Sequence, residues 1–148
     1  MGHAPIRLSS TRMTPQHQFD VRIYYEDTDF SGNVYHAAYL KFYERARTEW
    51  LRALGVSHVE MGNAGRAFAV RDMQIDFLKP AHIDDELRIL TRPMDKGAAW
   101  VLLEQEIWRA DEKLGRAAVR VACIKSSGGP ARLPTQLRDV LSGMDSNR

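Results

Sequence analysis

The spacing of apolar residues changes along the chain. From 19 to 25 it is two: Phe19, Val21, Ile23 and Tyr25 fall on one side, and Asp20, Arg22 and Tyr24 on the other. Such alternation predicts a half-buried strand. From about 35 to 54 the steps become three and four. Tyr39, Phe42, Tyr43, Ala46, Trp50 and Leu54 make one stripe, with Lys41, Glu44, Arg45, Thr48, Glu49 and Arg52 between them. This predicts an amphipathic helix of roughly five turns, with Gly55 as its stop. The stripe is broad and aromatic, so a wide surface such as a sheet face must cover it.

After an irregular connector at 56–66 the period returns to two. Phe68, Val70, Asp72, Gln74 and Asp76 share one parity, and Ala69, Arg71, Met73, Ile75 and Phe77 the other, until Lys79 and Pro80 break the run. Further strands are predicted at 86–92 (Leu87, Ile89, Thr91), 99–109 (Val101, Leu103, Ile107) and 114–126 (Ala117, Val119, Val121, Cys123). Turns are expected at 93–97 and 110–113, and at Ser127-Gly128-Gly129-Pro130, with a short last helix over 133–143. Short connections make neighbouring strands antiparallel. The expected class is α+β, a curved five-stranded antiparallel sheet around one long helix. Trp100, Leu102 and Trp108 stand on the opposite parity from the core residues of their strand, so the second sheet face is expected to be partly covered by another subunit. Residues 1–18 are polar and aperiodic, an expected flexible N-terminal tail, which leaves 19–142 as a single domain.

Composition narrows the function classes. The 148 residues suit one domain with a real core, and 44% apolar with 27% charged residues is ordinary for a soluble globular protein. A net charge of +2 without a dense Lys/Arg block argues against nucleic-acid binding. The single cysteine, Cys123, excludes an internal disulfide and a cysteine metal cluster. No apolar run approaches the ~20 residues of a membrane span, and the first residues lack a secretory apolar segment. A cytoplasmic location is expected.

Between the first strand and the helix lies YYEDTDFSGNVYH, residues 24–36. Asp27, Asp29, Ser31, Gly32 and Val34 fit the first half of a calcium loop, but the twelfth position, which needs a bidentate acid, is Ala38. A D-x-D after a strand also suits a phosphatase nucleophile, but that site sits on a central parallel strand, and the alternating polar residues here do not. No G-x-S-x-G elbow occurs, Cys123 lies on the apolar parity of a strand, and His3, His17, His58 and His82 have no ligand spacing. What is left is acid–base or nucleophilic chemistry at the mouth of a helix. Unpaired N–H groups there polarise a carbonyl, and the Asp29 carboxylate attacks the carbonyl carbon or activates water. His36 falls in the first helical turn. Thr28, Asp29 and Ser31 are equally good turn and capping residues, so the residues alone leave both readings open.

VRIYYEDTDFSGNVYHAAYLKFYERARTEWLRALGV closely resembles the signature of hotdog-fold acyl-CoA thioesterases of the 4-hydroxybenzoyl-CoA thioesterase type, nearest to their tol-pal-associated branch in Gram-negative bacteria. MQIDFLKPAHIDDELRI is similar to that family's strand, Lys-Pro-Ala turn and next strand, and the likeness runs over about 19–137. The resemblance implies a hotdog fold and a homodimer with active sites between subunits, often paired into a homotetramer. It implies hydrolysis of a short-chain or aromatic acyl-CoA, with no cofactor beyond the coenzyme A of the substrate and no metal. It places the catalytic aspartate on Asp29 and the histidine of the VYH triplet on His36, whose backbone N–H polarises the thioester carbonyl. Gly32, Val34 and Tyr35 then become substrate-binding residues of the loop and helix start. Arg71, Lys79, Arg92, Lys96 and Arg109 are candidate contacts for the phosphates of coenzyme A. Asn33 and Ala38 depart from the family's usual residues near the site, which leaves the acyl preference open. The alternative is a non-catalytic hotdog module that binds acyl-CoA or acyl carrier protein, or scaffolds envelope or lipid-synthesis proteins. A hotdog dehydratase fits the DTD loop less well.

Overall fold

The long aromatic stripe is a helix. In the computed structural model, which describes residues 16–145, α1 spans His36–Ala53 and buries Ala38, Tyr39, Phe42, Tyr43, Ala46, Trp50 and Leu51. β1 (His17–Arg22) and a 3-10 turn (Tyr25–Asp27) precede it. A short α2 (His58–Asn63) follows, then β2 (Arg66–Phe77), β3 (Glu86–Lys96), β4 (Trp100–Arg109), β5 (Glu112–Lys125) and α3 (Thr135–Asp145). The five strands form one sheet in the order β1-β3-β4-β5-β2, antiparallel at every junction. The stripe packs with Leu87 and Ile89 of β3, Val101, Leu103 and Ile107 of β4, and Val119, Val121 and Cys123 of β5 in one continuous core. The strand-wrapped helix expected from the periodicity is therefore present.

Several boundaries differ from the pattern, each for a local reason. β1 ends at Arg22, because Asp27 draws the chain into a turn: its amide donates to the Tyr24 carbonyl and its carboxylate accepts the Tyr24 amide, both at 2.9 Å. Tyr24 and Tyr25 are exposed as a result. β1 also begins at His17, opposite Thr91, inside the stretch expected as tail. Residues 1–15 of that tail lie outside the described residues.

β2 does not keep one parity. Val70 pairs with Val121 but Asp72 pairs with Arg120, which leaves Arg71 as the extra residue of a bulge. The bulge flips the strand, so Phe68 and Val70 before it and Met73, Ile75 and Phe77 after it face the same way as the core residues of β5. The expected turn at Pro93 is not a turn. β3 continues to Lys96 with Pro93 buried inside it, and the chain reverses only after Lys96. Pro93 sits next to a bulge and past Thr91, the last residue that β1 pairs, so the missing N–H breaks no ladder there.

Among the described residues two polar side chains lie in the core with no exposure, Thr91 and Gln105. The Gln105 amide donates to Thr91 Oγ1 (2.9 Å) and to the Tyr43 carbonyl (3.1 Å), and its oxygen accepts from Arg47 (3.0 Å), so the glutamine's donors and acceptor are all used.

Candidate active site

The acidic loop folds back on itself and is tied to the segment before β3. The Asp29 amide donates to the Asn33 carbonyl (2.8 Å), and the Gly32 amide to the Asp29 carbonyl (3.0 Å). Gly32 has φ +86°, a left-handed conformation that glycine adopts without a Cβ penalty. Val34 donates to the Ala81 carbonyl at 2.9 Å, and Asn33 bridges to His82. These bonds fix where the chain enters α1.

The two aspartates of the DTD triplet have different work. Asp27 is consumed by the turn: besides its bonds to Tyr24, its carbonyl accepts the Tyr35 amide at 3.2 Å. The Thr28 hydroxyl bonds the Tyr25 carbonyl at 2.7 Å. Asp29 is exposed, and its Oδ1 accepts from the Ser31 hydroxyl (2.6 Å) and the Ser31 amide (2.8 Å). The Ser31 hydroxyl, and after it the Ser31 amide, hold the Asp29 carboxyl below the usual aspartate value. Asp29 is thus an anion at neutral pH.

The N-terminus of α1 is open. Tyr35 precedes the helix and offers no side-chain cap. The backbone amides of His36 and Ala37 have no acceptor among the described residues. They are donors aimed outward at the positive end of an 18-residue helix. The His36 ring stacks on Phe77, with centroids 4.3 Å apart and planes at 17°. Tyr39 lies against the same Phe77 ring at 5.4 Å, and its hydroxyl accepts the Ala81 amide at 3.0 Å.

These groups line one cleft of about 450 Å³. Asp29, Asn33, Val34, Tyr35, His36 and Tyr39 form one side, and Phe77, Leu78, Lys79 and Pro80 the other. Of the residues singled out from sequence, Asp29, His36, Val34 and Tyr35 meet there. Gly32 does not line the cleft; it turns the loop that presents Asp29. Phe77 and Leu78 were not expected in the site. Their only signal was an apolar pair immediately before the Lys-Pro break, at the end of a strand far along the chain. Among the candidate cations, Lys79 pairs with Glu112 (2.6 Å), Arg109 pairs with Asp85 and Glu112 (both 2.7 Å), and Arg92 pairs with Glu104. Arg71 stands at the β2 bulge. Ala38, the last position of the calcium-loop pattern, is buried in the core, and no three His, Cys, Asp or Glu side chains converge on a metal site among the described residues.

An ionised carboxylate beside unpaired helix amides is an arrangement for attack on a carbonyl. The profile of the Thioesterase-like superfamily matches residues 23–141. The chain belongs to that superfamily. Among its members, the acyl-CoA thioesterase YbgC of Haemophilus influenzae is 44% identical over 107 residues, which span 72% of this chain and 79% of that protein. The acyl-CoA thioesterase YbgC of Helicobacter pylori strain J99 is 41% identical over 133 residues, 83% of this chain and 98% of that protein. A probable thioesterase from Bartonella henselae superposes with a TM-score of 0.77 at 43% identity, covering 80% of this chain and 99% of that one. The superfamily's hotdog architecture is the α+β sheet-and-helix arrangement described above.

Proposed function

We propose that this superfamily member hydrolyses the thioester of an acyl-CoA, releasing the free acid and coenzyme A. The observation that carries the reading is the shared cleft: Asp29 and the open N-terminus of α1 line the same cleft. The names of the similar thioesterases support it independently.

The thioester carbonyl lies over the helix mouth, where its oxygen accepts from the His36 or Ala37 amide. Negative charge builds on that oxygen as the carbonyl carbon becomes tetrahedral, and fixed N–H dipoles stabilise it without rearranging. Asp29 either attacks the carbon and forms an anhydride that water then opens, or takes a proton from a water that attacks directly. In both routes the C–S bond breaks, water supplies the new oxygen of the acid, and the sulfur leaves as thiolate and is protonated to thiol. His36 holds its ring against Phe77, which positions the helix start and one wall for the acyl group. The only cofactor-like group in this scheme is the coenzyme A of the substrate. The acyl group is short or aromatic, in keeping with a cleft floored by Tyr39 and Phe77.

β2 argues for a homodimer. Among the described residues it is the last strand of the sheet and pairs only with β5, and Val70, Phe77 and, just past its end, Leu78 are between 45% and 51% exposed. An unpaired twelve-residue edge with apolar flanks is suited to antiparallel pairing with a second copy. The outer sheet face, with Trp100 and Trp108, offers a second contact for a homotetramer. No helix among the described residues is long and apolar enough to cross a membrane. An acyl-CoA substrate supports work in the cytoplasm, and the sequence resemblance to the tol-pal-associated branch supports a tol-pal association.

Thiol release from a panel of short-chain, long-chain and aromatic acyl-CoAs tests the function. Turnover of at least one is expected. Tight binding of acyl-CoA or acyl carrier protein with no turnover would favour the non-catalytic module instead.

A further inference from the structure

A second cavity, of about 100 Å³, lies between α1 and the inner face of the sheet. Phe68 and Val70 of β2, Leu103 of β4 and Val121 of β5 give it apolar walls, and Arg47 of α1 enters it. Glu44, Thr48 and His58 stand at its border. The cleft described above shares no residue with it.

Arg47 is out of place among these neighbours. It is largely withdrawn from water, and it forms no ion pair among the described residues; the charge of Glu44 acts on it only from a distance. Among the described residues the one protein hydrogen bond it makes is to the Gln105 oxygen at 3.0 Å. Gln105 is fully buried and locked by Thr91 and the Tyr43 carbonyl, so that oxygen holds a fixed position. A guanidinium carries five N–H donors, and Arg47 lines the cavity with only one of them bonded to the protein among the described residues. A desolvated cation with no counter-charge in contact is costly, and a carboxylate entering the cavity would relieve that cost with charge-assisted hydrogen bonds. The cavity has room for about three water-sized groups at roughly 30 Å³ each.

Lengths along α1 and β2 bear on which cleft this cavity serves. His36 and Arg47 are separated by about 16 Å along α1 at 1.5 Å per residue. Phe77 and Val70 are separated by about 23 Å along β2 at roughly 3.3 Å per residue. A short acyl group cannot span that within one protomer. Pairing of two β2 edges about a two-fold axis near Asp72, the middle of the strand, reverses one strand against the other. Phe77 of one protomer would then lie beside the Phe68 end of its partner, and each cleft would meet the other chain's cavity.

We propose that Arg47, oriented by Gln105, is a specificity-determining residue that receives the distal carboxylate of a short dicarboxylic acyl group whose thioester is held in the partner's cleft. The proposal rests on the thioesterase reading and names its substrate class. Arg47 binds the end of the substrate remote from the reacting carbon, and Gln105 is a positioning residue.

The test compares glutaryl-CoA with pentanoyl-CoA, which differ in the terminal carboxylate. The wild type is expected to favour glutaryl-CoA in kcat/KM by tenfold or more. Arg47→Met is expected to lower the glutaryl-to-pentanoyl ratio about 10- to 100-fold, the size of a charge-assisted hydrogen-bonded pair. Arg47→Lys restores part of that ratio, and Gln105→Leu lowers it. A differentially tagged heterodimer of Arg47→Met with Asp29→Asn decides the trans arrangement. It contains one site with both Asp29 and Arg47 only if the two residues come from different chains, and then the wild-type ratio returns at about half the rate. A heterodimer that keeps the low ratio of Arg47→Met overturns the trans assignment. A wild type that favours pentanoyl-CoA overturns the proposal without any variant having to fold. Failure to turn over any acyl-CoA removes the thioesterase reading beneath it.

Discussion

Tyr39→Phe deletes one oxygen atom from the floor of the cleft. That oxygen accepts the Ala81 amide at 3.0 Å, and Ala81 has no exposure, so no water can replace it. The Ala81 carbonyl in turn accepts the Val34 amide at 2.9 Å, just before α1 begins. Ala81 is thus the pin between the Asp29 loop and the segment that leads from β2 to β3. Leaving a buried donor unpaired costs about 1–3 kcal/mol, more than the hydrogen bond itself is worth in net terms. The ring remains, so the contacts with Phe77 and Phe42 and the apolar burial are unchanged. For a domain of this size the loss corresponds to a fall in Tm of about 3–12 °C. The assay is thermal and urea unfolding of wild type and variant at one fixed protomer concentration, because association contributes to apparent stability. Tyr25→Phe is the control: Tyr25 is 81% exposed, and its effect should stay within about 0.5 kcal/mol. A Tyr39→Phe protein that unfolds with the wild-type midpoint would refute the claim that this hydroxyl holds the loop.

Ser31→Ala removes the largest influence that holds the Asp29 carboxyl low, so the Asp29 pKa rises and the acid limb of kcat/KM moves to higher pH; an unmoved limb in a full pH–rate profile would separate Asp29 from the reaction. Gly32→Ala puts a Cβ on a residue with φ +86°, with no atom within 4 Å to clash, so the cost is backbone strain alone, about 1–2 kcal/mol, read as a lower urea midpoint. Burial pushes the Tyr39 and Tyr43 hydroxyls up from the ordinary tyrosine value, so both are held neutral in the fold. Their contribution is fully present below about pH 10, the unfolded value, and is lost as pH rises beyond it; unfolding midpoints across that range should fall less steeply for Tyr43→Phe than for wild type.

The helix and the sheet were legible because their periods are strong and local. The stripe from Tyr39 to Trp50 needs only a count of threes and fours to be seen. What failed to show was anything that depends on a single inserted residue or a distant partner. The bulge at Arg71 changes parity in mid-strand, and in the sequence this appears only as apolar residues distributed over both parities of one run. Pro93 read as a turn because a count of residues does not reveal that β1 stops short of it. In the site, the DTD triplet presents two equivalent aspartates on paper. Only the folded turn shows that Asp27 is spent on Tyr24 while Asp29 stays exposed. Phe77 could not be placed beside His36 from sequence, since one lies at the end of β2 and the other at the start of α1, and the contact exists only once the sheet covers the helix.

The most direct test of the account is the rate of thiol release by Asp29→Asn beside wild type, on whichever acyl-CoA the wild type hydrolyses fastest. The substitution preserves the shape of the side chain and an oxygen for the Ser31 bonds, and it removes the charge. A loss of about 100-fold or more in kcat is expected, the scale of a lost general base or nucleophile, with the unfolding midpoint little changed because the side chain is exposed. A folded Asp29→Asn protein with wild-type turnover would contradict it, and would reduce Asp29 to a residue of the turn.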